Sequence, residues 1–191
     1  MNRDHSLAGQ LLIAMPSLVD PNFHRTVVLL AAHSFDEGAF GLVVNRPLDV
    51  ELTEILDELG LDGSAGHLPA VLGGGPVEPG HGFVLFESGD APPADSDLSL
   101  PLGLSLSGSI ETLGGLISGE GTGKYALVLG YSGWFPGQLE TEIEENSWLV
   151  APVQTSILFE VPFEARWKAA LDSIGVDPGT IADVGADAPP A

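Results

Sequence analysis

Seven short apolar runs, each bounded by turn-forming residues, constrain the fold of this chain more than any other feature. The runs are rich in Val, Leu, Ile and Phe, and their length suits β-strands. From the N-terminus they are QLLIAM, TVVLLAA, FGLVVN, GFVLF, YALVLGY, SWLVAPV and SILFEV. We therefore expect these runs to form the strands of a sheet.

Four helices are predicted between the strands. The first has Asp49 as its predicted N-cap, carries a stripe of leucine and isoleucine side chains and ends at Gly60. The second covers SIETLGGLISG and is weakened by its internal glycines. The third begins at Pro162, a residue favoured at the first helical position, and its apolar face includes Trp167. A fourth, shorter helix follows Pro136.

Strands and helices follow one another without regular alternation, which favours an α+β fold with a mixed sheet over a doubly wound parallel fold. At 191 residues the chain suits a single domain. We place this domain at residues 7–185, between tails at residues 1–6 and 186–191 that are expected to be flexible. The stretch 88–103 is rich in Pro, Asp and Ser and is predicted to be a mobile acidic loop.

The net charge limits the partners that the protein can have. Twenty-seven Asp and Glu residues against six Lys and Arg give −21, so the average surface field repels nucleic acid, anionic lipid and phosphate-rich ligands. The six cations are scattered along the sequence, which argues against direct DNA binding. The chain has no cysteine, which excludes disulfides, thiolate catalysis and cysteine-ligated zinc.

The N-terminal stretch MNRDHSLAGQLLIAMP differs from a secretory signal, because Gln10 interrupts its apolar run and Pro16 ends it. No apolar run reaches the roughly 18 residues that a membrane-spanning helix needs. We therefore expect a soluble protein of the cytoplasm.

Three glycine-rich motifs resemble catalytic or phosphate-binding signatures but differ from them in detail. GYSGW is compared with the nucleophile elbow G-x-S-x-G, but Trp134 occupies a position that requires a small residue, which argues against Ser132 as a nucleophile. GEGTGKY lacks the spacing of a phosphate loop and continues into a strand. GGGP, residues 73–76, is better explained by close backbone packing or a sharp turn.

No metal and no cofactor is predicted. The five histidines show neither H-x-x-x-H spacing nor an H-E-x-x-H context. Glu140 and Glu144 lie one helical turn apart and could share a cation. A solvated acidic face is the simpler interpretation, because hard cations usually recruit more than two oxygens.

Polar residues at the ends of predicted strands are candidates for binding. His33 ends one buried strand, and Asn45 and Arg46 end the next. Such residues form sites, but they also cap turns, and capping is the simpler interpretation. Arg25 and Arg46 are the stronger candidates, because scarce cations in an acidic chain are expected to be committed to particular carboxylates or to a ligand anion.

The stretch GYSGWFPGQLETEIEENSWLV, residues 130–150, is interpreted as a strand, a glycine turn, a short acidic helix and a return strand. Trp134 and Trp148 bracket the helix, and their large apolar areas are expected to pin it to the domain. Gln138 and Glu140 stand at the start of this helix, where polar groups serve either as caps or as contacts for a partner.

Eight segments of the chain carry a family resemblance. They are LLIAMPSLVDPNF, RTVVLLAAH, GAFGLVVNRP, LGGGPV, GFVLF, GYSGWFPGQLETEIEENSWLVAP, ILFEVP and RWKAALDSIGVD. The most specific block contains Gly130, Tyr131, Trp134, Gly137, Gln138, Leu139 and Glu140. Taken together, the segments resemble the YqgE/AlgH family of bacterial proteins over nearly the whole chain.

The resemblance implies a complex α+β fold whose mixed sheet is bifurcated and partly closed like a barrel, with helices around it. It implies no known catalytic residue and no cofactor. The biochemical role of the family is undetermined. Its members are often labelled transcriptional regulators, and the AlgH name refers to the regulation of alginate synthesis.

Three functions are open on the sequence alone. The first is a cytoplasmic binding or regulatory module without catalysis, which recognises a protein or a small ligand. Its candidate surface consists of Arg25, His33, Asn45, Arg46, Trp134, Gln138 and Glu140. The second function is a small-molecule hydrolase or transferase in which His33 and a nearby acid provide general-base catalysis. The third, direct DNA binding, conflicts with the net charge of −21.

Overall fold

The computed structural model describes residues 6–62, 68–88, 97–119 and 123–183. Within these ranges the chain forms nine strands, six α-helices and a 3-10 turn at Pro101–Gly103. The strands are β1 (Gln10–Ala14), β2 (Val27–Ser34), β3 (Gly38–Val43), β4 (Val71–Gly73), β5 (Val77–Glu87), β6 (Leu98–Leu100), β7 (Leu104–Ser107), β8 (Tyr125–Trp134) and β9 (Trp148–Pro152). The helices are α1 (Leu52–Leu59), α2 (Ile110–Ile117), α3 (Gln138–Glu144), α4 (Thr155–Phe159), α5 (Phe163–Ser173) and α6 (Pro178–Asp183).

The nine strands form one mixed sheet. Its order is β6-β7-β5-β8-β3-β2-β1-β9, and β4 pairs with β8 outside this path. The pairing of β4 with β8 is parallel, and the pairings along the path are antiparallel. The sheet curls strongly into a half-barrel with helices around it, so the predicted α+β class is confirmed.

The sheet divides into two branches within β8. Residues 127–129 of β8 lie between β4 and β5, whereas residues 132–134 pair with β3. Glycines allow the backbones to meet at this branch, since a Cβ on Gly74 would lie 2.3 Å from the carbonyl oxygen of Gly130. A Cβ on Gly75 would lie 2.4 Å from Ser132 Oγ. The predicted bifurcation and the close-packing interpretation of GGGP are both confirmed.

Three apolar clusters attach the helices to the sheet. Helix α5 packs against β1, β2 and β9, and its buried Trp167 and Leu171 belong to the largest cluster. Helices α1 and α2 contribute Leu56 and Leu113 to a second cluster over β4, β5 and β8. Helix α3 contributes Leu139 to a third cluster, which also contains Trp134 and Trp148.

Two details of the predicted elements are wrong. The first four residues of SILFEV belong to α4 and not to a strand. The adjacent side chains of Ile157 and Leu158 are both buried. A helix packed on the core can bury two consecutive residues, whereas a strand with one exposed face buries only alternate residues. The N-cap of α1 is Glu51 rather than Asp49. The helix begins later than predicted because the preceding segment stays extended, with the amide of Leu48 donating to the carbonyl oxygen of Val71 at 2.8 Å.

The stretch 88–103, which the sequence predicts to be a loop, contains regular structure in its second half. Residues 98–100 form β6, which pairs antiparallel with β7, and residues 101–103 form the 3-10 turn. Residues 89–96, which carry most of the Pro and Asp of this stretch, lie outside the described residues, as do 1–5 and 184–191. In the part of the chain that the structure covers, no helix is both long and apolar enough to cross a membrane.

Candidate functional site

Three aromatic rings form the centre of the candidate site. Trp134 ends β8, Trp148 begins β9, and their ring centroids lie 5.9 Å apart at a steep angle. Phe23, from the loop between β1 and β2, lies 6.1 Å from Trp134 and 5.5 Å from Trp148. Both tryptophans are buried. The predicted role of the tryptophans in pinning the short helix is therefore supported, and Phe23 completes the cluster.

The carboxylate of Glu142 joins the two tryptophans. Its Oε2 accepts a hydrogen bond from Trp134 Nε1 at 2.9 Å and another from Trp148 Nε1 at 2.8 Å. Its Oε1 accepts a third from Gln138 Nε2 at 2.8 Å. A buried indole N–H needs an acceptor, and a charged acceptor makes the stronger bond. One side chain of α3 thus satisfies both indoles.

The turn before α3 is fixed by hydrogen bonds on both sides of Phe135. Gln138 Oε1 accepts from the amide of Phe135 at 3.0 Å, and the amide of Gln138 donates to the carbonyl oxygen of Phe135 at 3.0 Å. Gly137 supplies the left-handed backbone, with φ of 74°, that this turn requires. The Phe135 side chain itself is 81% exposed.

His33 and Glu140 form a buried polar pair beside this cluster. Nε2 of His33 lies 2.9 Å from Oε1 of Glu140, and the two side chains are 3% and 11% exposed. Nδ1 of His33 accepts a hydrogen bond from the backbone amide of Leu7 at 3.0 Å. Because an N–H already points at Nδ1, the ring proton resides on Nε2 and is donated to Glu140.

This tautomer bears directly on catalysis. In a histidine that acts as a general base, one ring nitrogen donates to an orienting carboxylate and the other faces the substrate with a free lone pair. The second nitrogen of His33 faces the Leu7 amide instead. A cavity of about 250 Å³ adjoins His33, but no lone pair of the ring is free to act in it.

Asn45 and Arg46 hold the loop that carries Phe23. Asn45 accepts from the amide of Val27 at 2.9 Å and donates to the carbonyl oxygen of Arg25 at 2.9 Å. The guanidinium group of Arg46 donates to the carbonyl oxygens of Pro21 at 2.8 Å and His24 at 3.1 Å. These two residues close the loop, which accords with the capping interpretation.

Arg25 is the predicted cation that remains at the surface. It is exposed and adopts a left-handed backbone conformation with φ of 53°. Its guanidinium carbon lies 5.3 Å from the centroid of the Trp167 ring, at the distance of a cation–π contact.

The seven predicted site residues separate into two groups. His33, Trp134, Gln138 and Glu140 lie around the start of α3, whereas Arg25, Asn45 and Arg46 lie at the opposite end of the β2–β3 pair. The division follows from antiparallel pairing: His33 lies opposite Ala39 at one end, and Val28 lies opposite Val43 at the other. Residues at the C-terminal ends of neighbouring strands meet only when the strands are parallel. Phe23 and its loop connect the two groups.

Ser132 and the acidic face of α3 offer little for catalysis or metal binding. Ser132 is fully buried, and its hydroxyl donates to the carbonyl oxygen of Gly74 at 3.0 Å. Glu140 is engaged with His33, while Glu144 is exposed to solvent. Among the described residues, no group of three His, Asp or Glu side chains is placed to hold a metal ion.

Two important residues were not among the sequence candidates. The position of Glu142, one helical turn after Gln138 and between two tryptophans in the sequence, was a usable signal. Phe23 carried no such signal, because its partners lie more than 100 residues away along the chain.

Comparison with known proteins decides the family. Residues 11–179 match the family described as AlgH-like (DUF179). The chain belongs to the AlgH-like family. A UPF0301 protein of Magnetococcus marinus is 44% identical over 178 residues, which are 93% of this chain and 94% of that protein. A UPF0301 protein of Xanthomonas axonopodis pv. citri is 45% identical over 173 residues, which are 90% of each chain.

Solved structures show the same AlgH-like fold. The solution structure of the AlgH protein from Pseudomonas aeruginosa has a TM-score of 0.74 at 38% identity, covering 100% of this chain and 99% of that one. A crystal structure of a protein from Corynebacterium diphtheriae has a TM-score of 0.77 at 23% identity, covering 95% and 94%, and this likeness concerns the fold alone. The biochemical role of the AlgH-like family is undetermined.

Proposed function

We propose that the protein is a non-catalytic cytoplasmic module that binds a partner protein. The contact is made by the tip of the turn before α3 and the adjoining β2–β3 turn. We call this the Phe135 surface and define it by Asp36, Glu37, Phe135 and Pro136. The observation that carries the proposal is an aromatic side chain that is 81% exposed although hydrogen bonds fix the backbone on both sides of it.

The rigid support of Phe135 favours recognition. An exposed aromatic ring of this size is a typical anchor for a pocket on a partner. Association is less costly when the anchor is already held in one backbone conformation, because less freedom is lost on binding. Trp134, which precedes Phe135, is fixed by Glu142, and Gln138 holds the Phe135 amide.

The charges around Phe135 indicate the chemistry of the partner. Asp36 and Glu37 are exposed in the β2–β3 turn, and this turn adjoins Phe135, since a Cβ on Gly38 would lie 3.1 Å from the Phe135 carbonyl carbon. Glu144 and Glu145, at the end of α3, are also exposed. With a net charge of −21, the protein would attract a partner whose apolar pocket is rimmed by Lys and Arg.

The other two functions have less support. The hydrogen bonds of His33 leave it without the free lone pair that a general base needs. DNA binding would require a basic patch. Lys124 and Lys168 are paired with acidic residues. Arg46 and Arg166 donate to backbone carbonyl oxygens, and the net charge repels phosphate.

Site-specific photocrosslinking tests the proposal. We expect p-benzoylphenylalanine at position 135 to capture one defined protein in the cytoplasm of a producing cell. The same probe at position 102 is the control, because Leu102 is 63% exposed but belongs to the 3-10 turn between β6 and β7, which is not part of the Phe135 surface. Equal products at both positions, or none at position 135, would contradict the proposal.

The captured protein then has to bind through Phe135 in purified form. Loss of an aromatic anchor costs about 2 kcal/mol or more, so Phe135→Ser should weaken binding at least about thirtyfold. Leu102→Ser should leave the Kd unchanged, and added salt should slow association with the wild type. Equal affinity of the two variants would show that the capture was incidental.

A further inference from the structure

Arg166 on α5 is a buried cation with no acidic partner among the described residues. It is 4% exposed, its Nε donates to the carbonyl oxygen of Val161 at 2.9 Å, and its Nη1 donates to that of Val44. Its guanidinium carbon also lies 4.4 Å from the centroid of the Phe163 ring. None of the ion pairs within the described residues includes Arg166.

A buried charge without a counter-ion is costly. Burial lowers the pKa of Arg166 to about 10, which shows that its surroundings disfavour the positive charge. Two carbonyl dipoles compensate only part of that cost, and Nη2 makes no hydrogen bond to any described residue. In a chain with 27 acidic residues, a counter-ion for this cation would have been easy to supply.

A cavity of about 610 Å³ adjoins Arg166 between α1, α5 and the start of β8. This volume falls within the usual range for small-molecule sites. Its walls are mostly apolar and include Val50, Leu52, Leu72, Leu158 and Phe163. Burial also raises the pKa of Tyr125, another wall residue. The cavity therefore combines an apolar body with the guanidinium group of Arg166, as sites for amphipathic anions do.

The other charged residues that line this cavity limit the charge of the ligand that it can bind. Lys124 lines it, but its ammonium group is paired with Glu160 at 2.5 Å, and this hydrogen bond raises the pKa of Lys124. Glu51 also lines the cavity and adds a negative charge. Arg166 is thus the one lining cation without an acidic partner among the described residues, and Glu51 disfavours anions of higher charge.

We propose that this cavity, the Arg166 cavity, binds a small apolar molecule that carries a single negative charge, such as a carboxylate or sulfonate. The apolar part contacts the leucine and phenylalanine walls, and the anionic group accepts hydrogen bonds from the guanidinium of Arg166. The inference does not depend on the Phe135 surface, which is built from other elements of the fold.

A pair of matched fluorescent probes tests the charge requirement. 1-Anilinonaphthalene-8-sulfonate carries one negative charge, and N-phenyl-1-naphthylamine has the same aromatic skeleton without it. We expect the sulfonate to bind the folded protein at least tenfold more tightly than the amine. The net charge of −21 repels the sulfonate and therefore favours the neutral amine. Tighter binding of the sulfonate would have to come from a cation close to the bound probe.

Two rim variants provide the control. Val50 lines the cavity and is 38% exposed, so substitution there should be compatible with folding. Val50→Glu should weaken sulfonate binding at least fivefold, because it places a second carboxylate at the mouth. Val50→Gln introduces a side chain of the same shape as glutamate but without the charge, and it should change sulfonate binding less than twofold. Arg166→Met, if it folds, should abolish the preference for the sulfonate.

Chemical shift mapping then locates the probe. Titration with the sulfonate should move the amide signals of Tyr125, Ala126 and Phe163 and the Nε–H signal of Arg166. A second cavity, of about 470 Å³, is lined by Ile110 of α2 and Leu129 of β8, and shifts there instead would overturn the proposal. Equal affinities of the two probes, or equal effects of Val50→Glu and Val50→Gln, would do the same.

Discussion

Glu142 shows how a single side chain can decide the character of a site. An acidic residue beside two tryptophans suggests a place where a ligand is recognised. Here its two carboxylate oxygens accept hydrogen bonds from Trp134, Trp148 and Gln138. The carboxylate is therefore used to hold the turn and α3 in place.

Replacing Glu142 with Ala should lower the free energy of unfolding by about 2–3 kcal/mol, because two indole N–H groups in the core would lose their acceptor. Urea unfolding, followed by far-UV circular dichroism, measures this change. Glu144→Ala is the matched control, since Glu144 is exposed on the same helix and should shift stability by less than about 0.5 kcal/mol. Similar losses for the two variants would contradict the assigned role.

The sequence predicted some of these residue roles and not others. The sequence correctly predicted Trp134 and Trp148 as anchors of a short helix. Large aromatic side chains that flank a short acidic segment bury their apolar area against the domain and so hold the segment in place. The sequence left open whether Gln138 and Glu140 stabilise the fold or contact a partner. In the structure both side chains form hydrogen bonds within the protein, Gln138 with the Phe135 amide and Glu140 with His33. The partner of Glu140, His33, lies 107 residues away, which no local pattern indicates.

At the level of elements, the branch of the sheet depends on glycine at a few positions. Segment 71–74 inserts between the end of β3 and the first half of β8: the amide of Gly74 donates to Leu129 at 2.8 Å, and its carbonyl oxygen accepts from Val43 at 2.9 Å. The backbones are so close that a side chain at Gly74 has no space. The glycine run is thus a requirement of the topology rather than a phosphate-binding feature.

Gly74→Ala should lower the free energy of unfolding by about 3 kcal/mol or more, because the new Cβ would overlap the Gly130 carbonyl oxygen and a rigid sheet cannot yield. Thermal and urea unfolding measure the loss. Gly80→Ala is the control within the neighbouring strand, since a Cβ there meets no atom within 4 Å. If Gly74→Ala were as stable as Gly80→Ala, the proposed close approach would be wrong.

Strands were more predictable than their connections. Six of the seven apolar runs correspond to strands. Each of these runs has a continuous apolar centre bounded by turn-forming residues, which is the pattern typical of a strand. SILFEV was assigned wrongly because a short run with four apolar residues fits a buried helical turn equally well. Three strands, β4, β6 and β7, were missed because elements of three or four residues are too short to leave a periodic pattern.

At the scale of the whole molecule, the net charge of −21 sets both stability and choice of partners. Like charges repel across a compact surface, and this repulsion is lost when the chain expands. Among the described residues, few cations relieve it: Lys124 and Lys168 form ion pairs, whereas Arg46 and Arg166 donate to backbone carbonyls.

The melting temperature should therefore rise when sodium chloride is increased from low to near-molar concentration. Screening reduces the repulsion, and each kcal/mol recovered should raise the melting temperature by about 2–4 °C in a chain of this size. Differential scanning calorimetry at constant pH measures the shift. A flat response would mean that the acidic groups are spaced too widely for their repulsion to affect stability.

We infer that the polar groups around α3 serve the fold, so that the segment 130–150 is a scaffold and not an active site. The tautomer of His33, read from long-range proton–nitrogen NMR correlations at neutral pH, tests this most directly. We predict a proton on Nε2, with Nδ1 accepting from the amide of Leu7. A proton on Nδ1, with Nε2 free to accept one, would give His33 the lone pair of a general base and would contradict the account.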